Sequence, residues 1–177
     1  MRGYFGFGVQ QISKPMNLGS LMRSAHAFGA SFFFTINPDF NPKEVKLSDT
    51  SDAAKNLPLY TFPTVESLTL PRECRLVGVE LTDDAVDLPS FHHPHNAAYV
   101  LGPERGSLSP ELIERCDQVV KIPTKFCVNV GVAGAIVMYD RMRSLGRFAP
   151  RAVGSLGGPG DKPPHVSGGP VLRRRKT

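Results

Sequence analysis

Three short segments of this 177-residue chain hold residue types that can do chemistry. The first, residues 17–25, sets Asn17 six positions before Arg23. A guanidinium is always charged and carries a rigid fork of N–H donors, so it suits a phosphate or a developing anion better than proton abstraction. On this segment alone Arg23 reads equally well as a solvated helix arginine, and Asn17 as a helix cap. The second segment, residues 100–108, runs from an apolar strand into the turn Gly102-Pro103-Glu104-Arg105-Gly106. Open α/β sheets bind ligands at the carboxyl ends of their strands, and glycine lets backbone amides approach a ligand closely. An ordinary strand-to-helix turn has the same pattern. The third segment, residues 122–135, puts Asn129 in front of a run of small residues. An Asn there is a cap by default, and the Gly/Ala run allows another backbone to pack tightly. Neither a G-x-G-x-x-G fingerprint nor a P-loop is present, which argues against a dinucleotide-binding dehydrogenase.

Other polar groups carry less. His92, His93 and His95 crowd around Pro94, without the spacing of a structural zinc site and without a cysteine pair. Asp83, Asp84 and Asp87 read as solvated loop acids. Cys74, Cys116 and Cys127 are odd in number and share no ligand spacing, so free thiols in a reducing cytoplasm are expected. The start of the chain has no signal-peptide pattern, and no apolar run approaches membrane-spanning length.

The elements that must position these residues follow from periodicity. Strands are expected over residues 4–9, 31–36, 59–60, 76–81, 97–101 and 118–122, where aromatic and β-branched residues are bounded by turn formers. Leu18, Leu21, Met22, Ala25 and Phe28 recur at helical spacing after a loop at residues 13–17, and Gly29 stops that helix. A short helix capped by Thr64 is expected over 64–68. Another begins at Ser109-Pro110-Glu111, with Ser as cap and Pro at the first position. A packed final helix is expected over 129–145. Residues 40–58 are polar and have no assignment. Alternating strands and helices predict an α/β domain over residues 1–146 with a mostly parallel sheet flanked by helices.

After Gly146 the character changes. Residues 147–177 hold six Gly, five Pro and seven Lys/Arg against the single acid Asp161. This segment is expected to be a disordered basic tail. The net charge of +5 resides there, since residues 1–146 carry 14 basic and 15 acidic side chains. A basic-surface argument for nucleic-acid binding therefore holds for the tail only.

Together and in this order, the three segments resemble the SpoU/TrmH-type ribose 2′-O RNA methyltransferases of the SPOUT superfamily. Asn17-x-Gly19-x-x-x-Arg23-x-Ala25 looks like that family's first motif. Leu101-Gly102-Pro103-Glu104-x-Gly106-x-Leu108 looks like the second. Ile122-Pro123, followed by Val128-Asn129-Val130 and the small-residue helix, looks like the third. The likeness runs from about Tyr4 to Leu145. The chain departs from it at Cys127-Val128-Asn129-Val130, where the family often has Ser-Leu-Asn-Val, and in a shorter stretch between Pro123 and Asn129.

The resemblance implies methyl transfer from S-adenosyl-L-methionine to a ribose 2′-hydroxyl of RNA, by a homodimer that needs no metal and does not enter a membrane. It implies a sheet whose C-terminal part is threaded into a trefoil knot, with the cofactor held by loops carrying Leu81, Gly102, Ile122 and Val128. Arg23, Asn17, Glu104 and Asn129 become the catalytic set, with Arg23 at the phosphate and the developing alkoxide. Of the family's substrates, tRNA is favoured over rRNA, because no separate RNA-binding domain precedes Tyr4. The alternative is a non-catalytic RNA-binding module with the same fold, against which the presence of all four polar residues argues.

Overall fold

The computed structural model describes residues 3–39, 56–146 and 148. Contacts divide the chain after Gly146 into two units. In the first unit the described residues form a seven-stranded sheet with three α-helices. The strands are β1 (Tyr4–Gln10), β2 (Phe32–Ile36), β3 (Leu59–Phe62), β4 (Arg75–Val79), β5 (Val86–Asp87), β6 (Asn96–Leu101) and β7 (Gln118–Lys121). The helices are α1 (Pro15–Ala27), α2 (Pro110–Arg115) and α3 (Val130–Leu145). The sheet order is β3-β2-β1-β6-β4-β7-β5, and every pairing is parallel. The α/β class with a parallel sheet is therefore as expected. The expected tail lies, apart from Phe148, outside the described residues.

The central strands β1, β2 and β6 are buried almost throughout, as strands covered on both faces must be. On one face Phe5, Phe7, Val9, Tyr99 and Leu101 pack against Leu18, Leu21 and Met22 of α1 and Val137 and Met138 of α3. On the other, Phe34, Ile36, Leu76 and Val100 pack against Leu108 and Leu112. Helices α1 and α3 lie close because Gly134 has no side chain: a Cβ there would collide with Leu21. The Gly/Ala run thus does what its composition predicts.

Three local expectations need correction. Helix α1 starts at Pro15, whose fixed φ suits the first helical position, so Asn17 lies inside the first turn and is not the cap. Residues 64–68 form only a turn, closed by reciprocal hydrogen bonds between Thr64 and Ser67. Strand β4 ends at Val79, and Asp87 belongs to the short strand β5. Ser109 does cap α2, accepting from Leu112 N at 3.3 Å, and Gly29 ends α1 with φ of +78°.

The amino ends of the strands are anchored by a buried polar network. Arg141 of α3 is fully buried and donates to the carbonyls of Pro94, His95 and Tyr4 and to the Tyr99 hydroxyl. His93 joins Tyr99 (2.7 Å) to Asp140 (3.0 Å). Burial holds its proton affinity below the ordinary histidine value, against the pull of Asp140, and pushes the Tyr99 hydroxyl up to about 12. Both ring nitrogens of His93 are occupied within the fold. The carboxyl ends of the strands are left to other work.

Candidate active site

Because all seven strands run the same way, their carboxyl ends lie along one edge of the sheet. From β1 the chain passes to β2 on one side, and from β6 it passes to β7 on the other. Loops leaving adjacent strands in opposite directions open a crevice, the usual ligand site of such sheets. A cavity of about 330 Å³ lies there, within the range that holds a small molecule. Its wall comes from the ends of β4 (Glu80, Leu81), β6 (Gly102–Gly106) and β7 (Lys121, Ile122), the loop at 124–129, and the start of α1.

Seven of the eight residues singled out from sequence line this cavity: Asn17, Leu81, Gly102, Glu104, Ile122, Val128 and Asn129. Gly102 has a demonstrable steric reason. A Cβ there would lie 3.0 Å from Leu108 N and 3.1 Å from Ser107 C, so any side chain would push the folded-back loop away from the strand by a few tenths of an ångström. Leu81 and Val128 present apolar surface, 56% and 38% exposed, where a flat apolar ligand would cover it.

The polar residues form one relay. The Glu104 carboxylate accepts from Ser13 N and Oγ (both 3.2 Å), Lys14 N (3.0 Å) and Asn17 Nδ2 (3.1 Å). Burial raises the Glu104 proton affinity, but the hydrogen bond from its own backbone N–H, with those from Asn17, Ser13 and Lys14, outweighs it and holds the carboxyl below its ordinary value. Asn17 Oδ1 in turn accepts from Asn129 Nδ2 at 3.2 Å, and Asn129 Oδ1 caps α3 by accepting from Gly131 N at 2.8 Å. The β6 loop, α1 and α3 are thus locked together by side chains distant in sequence. Both amides have their orientation set by a partner on each side.

Arg23 stands apart. Six residues past Asn17 is a rotation of about 240° on a helix, and Arg23 is exposed and outside the cavity wall. Its sequence neighbour Ser24 lines a second, largely apolar groove between α1 and α3, with Ser20, Phe28, Val132, Ile136 and Tyr139 among others. Val132 and Tyr139 are each 51% exposed.

Sequence reasoning missed three residues here. Lys121 and Glu80 line the cavity beside Lys14, which the charge argument places at the site. Gln10, buried at the end of β1, exchanges hydrogen bonds of 2.8 Å with Ser109, from Nε2 to Oγ and from Ser109 N to Oε1. The available signal was position: each of Gln10, Glu80 and Lys121 is a polar residue at or just past the carboxyl end of an apolar strand.

Comparison with known proteins agrees with this geometry. A family model described as the SpoU rRNA Methylase family matches residues 6–139. A tRNA (guanosine(18)-2'-O)-methyltransferase of Mus musculus is 28% identical over 149 residues, covering 78% of this chain and 9% of that protein. The 23S rRNA (guanosine-2'-O-)-methyltransferase of Acinetobacter baylyi is 28% identical over 145 residues, covering 76% of this chain and 58% of that protein. The crystal structure of the SpoU methyltransferase AviRb from Streptomyces viridochromogenes, in complex with the cofactor AdoMet, superimposes with a TM-score of 0.68 at 25% identity, covering 83% of this chain and 60% of that one. The chain thus spans less than two thirds of the length of these relatives.

Proposed function

This chain belongs to the SpoU rRNA methylase family, and from that membership we propose that it transfers a methyl group from S-adenosyl-L-methionine to a ribose 2′-hydroxyl of tRNA or rRNA. The observation that carries the reading is the Glu104–Asn17–Asn129 relay at the mouth of a glycine-based cavity on the carboxyl edge of the sheet. The presence of Asn17, Arg23, Glu104 and Asn129 together favours this reading over a non-catalytic RNA-binding module with the same fold; RNA binding without methyl transfer would favour the module.

S-adenosyl-L-methionine supplies a methyl group made electrophilic by its sulfonium. Gly102 and Ile122 offer backbone to such a ligand, and Leu81 and Val128 offer apolar cover. Asn17 and Asn129, each fixed by hydrogen bonds, orient the ribose relative to it. Arg23 binds the RNA phosphate and stabilises the oxyanion that develops as the hydroxyl loses its proton. It does not abstract that proton, because a guanidinium stays charged; the proton passes to the RNA phosphate that Arg23 holds.

The exposed position of Arg23 is consistent with assembly. A second copy seated on the α1–α3 groove would cover Val132 and Tyr139, and, with parts of each site contributed across that interface, the Arg23 of one copy serves the cavity of the other. The insertion of β6 between β1 and β4, and the return of α3 to α1, are compatible with a trefoil knot from β6 onward. In this reading residues 1–146 carry the catalysis and the basic segment 147–177 serves as an RNA-contacting arm. The three free thiols suit the cytoplasm.

Calorimetry of the purified protein with S-adenosylhomocysteine tests the cavity assignment. We expect binding by the wild type and its loss in Gly102→Val, whose side chain meets the Leu108 and Ser107 backbone. A folded wild type that binds nothing would overturn the reading.

A further inference from the structure

We propose that Glu80 is a positioning residue that sets the width of the cavity by tying its three strand-end walls together. The inference rests on the proposed methyl transfer for the identity of the ligand, but its geometry is independent of it. Glu80 follows β4 directly and lines the cavity. Its backbone N–H donates to Val120 O of β7 at 3.0 Å. One carboxylate oxygen, Oε1, accepts from Leu81 N at 2.8 Å. The other, Oε2, accepts from Leu108 N at 2.8 Å, across 28 residues of chain. One residue therefore bonds to the β4 loop that presents Leu81, the β6 loop that closes over Gly102, and the strand that leads to Ile122.

The choice of residue type follows from the partners. Both are N–H donors and each meets a different oxygen, so a carboxylate satisfies both in this geometry, and hydrogen bonds to an ionised acceptor are the stronger kind. The loop from 102 to 109 has no regular secondary structure before α2. Side-chain hydrogen bonds hold it: Glu104 at its start, Glu80 at Leu108 and Gln10 at Ser109. Leu108 itself is buried in the core beneath. Its position couples that core to the cavity, because Leu108 N is the atom nearest the space above Gly102.

The test is Glu80→Gln. A glutamine keeps the shape but turns a donor toward one of the two N–H groups, leaving that amide unpaired. Glu80→Ala, which removes both acceptors without adding a donor, is the second variant. Hydrogen exchange on the ligand-free proteins should show faster exchange at the Leu108 amide in both variants, with the thermal midpoint little changed. Affinity for S-adenosylhomocysteine should fall about tenfold, the equivalent of one unmade hydrogen bond to a charged group. In turnover, KM for the methyl donor should rise by a similar factor while kcat changes far less, a split that general destabilisation would not produce. Unchanged Leu108 exchange and ligand affinity within about twofold of wild type in both variants overturn the proposal, even if wild type binds the ligand. Wild type failing to bind overturns the cofactor reading instead, while the exchange measurement still judges the tie.

Discussion

At the scale of single residues, the polar groups of the cavity hold one another in place, and Arg23 stands outside them. Glu104, Asn17 and Asn129 spend their hydrogen bonds on one another and on backbone. Arg23 is exposed and lies outside the cavity wall. A residue in that position is free to meet a phosphate, and its loss should leave the cavity intact. We therefore expect Arg23→Ala to keep ligand affinity and to lower methyl transfer on the order of 10²–10³-fold, the usual cost of removing one preorganised charge stabiliser. Arg23→Lys should recover little, since a point charge does not reproduce a bidentate fork. Single-turnover assays at saturating cofactor measure both. Wild-type rates in the two variants would return Arg23 to the status of a surface residue.

Among the elements, α1 and α3 do two jobs with two faces. Their inner faces bury Leu18, Leu21, Val137 and Met138 against the sheet. Their first turns meet at the Asn17–Asn129 bond. Along the outer groove between them, Val132 and Tyr139 leave apolar surface in water. A charge placed in that groove should cost the monomer little, because the position is half exposed, while opposing any surface that must cover it. Val132→Asp is expected to give a folded monomer where the wild type sediments as a dimer, and to lose RNA methylation with it. If wild type is already monomeric at assay concentrations, the groove is not a subunit interface.

The whole molecule presents a charge problem. Residues 1–146 carry one more acid than base, while the proposed substrate is a polyanion. The cations that line the cavity, Lys14 and Lys121, meet part of the need, and the exposed Arg23 adds another. The segment 147–177, with seven Lys/Arg and one acid, can supply more. Phosphate contacts of this kind add affinity that is sensitive to salt and blind to base sequence. Deleting residues 148–177 should leave cofactor affinity and the modified nucleotide unchanged. It should weaken RNA binding most at low salt and flatten the dependence of log K on log salt concentration. An unchanged slope in filter binding across a salt series would mean that the segment does not contact RNA.

What the sequence determined by itself was local or compositional. Among the described residues, aromatic and β-branched runs bounded by turn formers located six of the seven strands, helical spacing located α1, capping residues α2 and a run of small and apolar residues α3. Ser109, Gly29 and Asn129 were legible as caps and stops, because capping is chemistry between neighbours in the chain. The order of Asn17, Glu104 and Asn129 pointed to one family, but nothing local said that these three residues bond to each other. Their contacts span 87 and 112 residues and exist only once β1 and β6 pair in parallel and α3 returns to α1. The same holds for Glu80 and Gln10, whose partners lie 28 and 99 residues away. The start of α1 was misread for a related reason: Asn17 has the composition of a cap, but Pro15 begins the helix and Glu104 claims the Asn17 amide. Propensity acts between near neighbours, whereas a site at the edge of a parallel sheet is assembled by strand order, which only the packing of the whole chain decides.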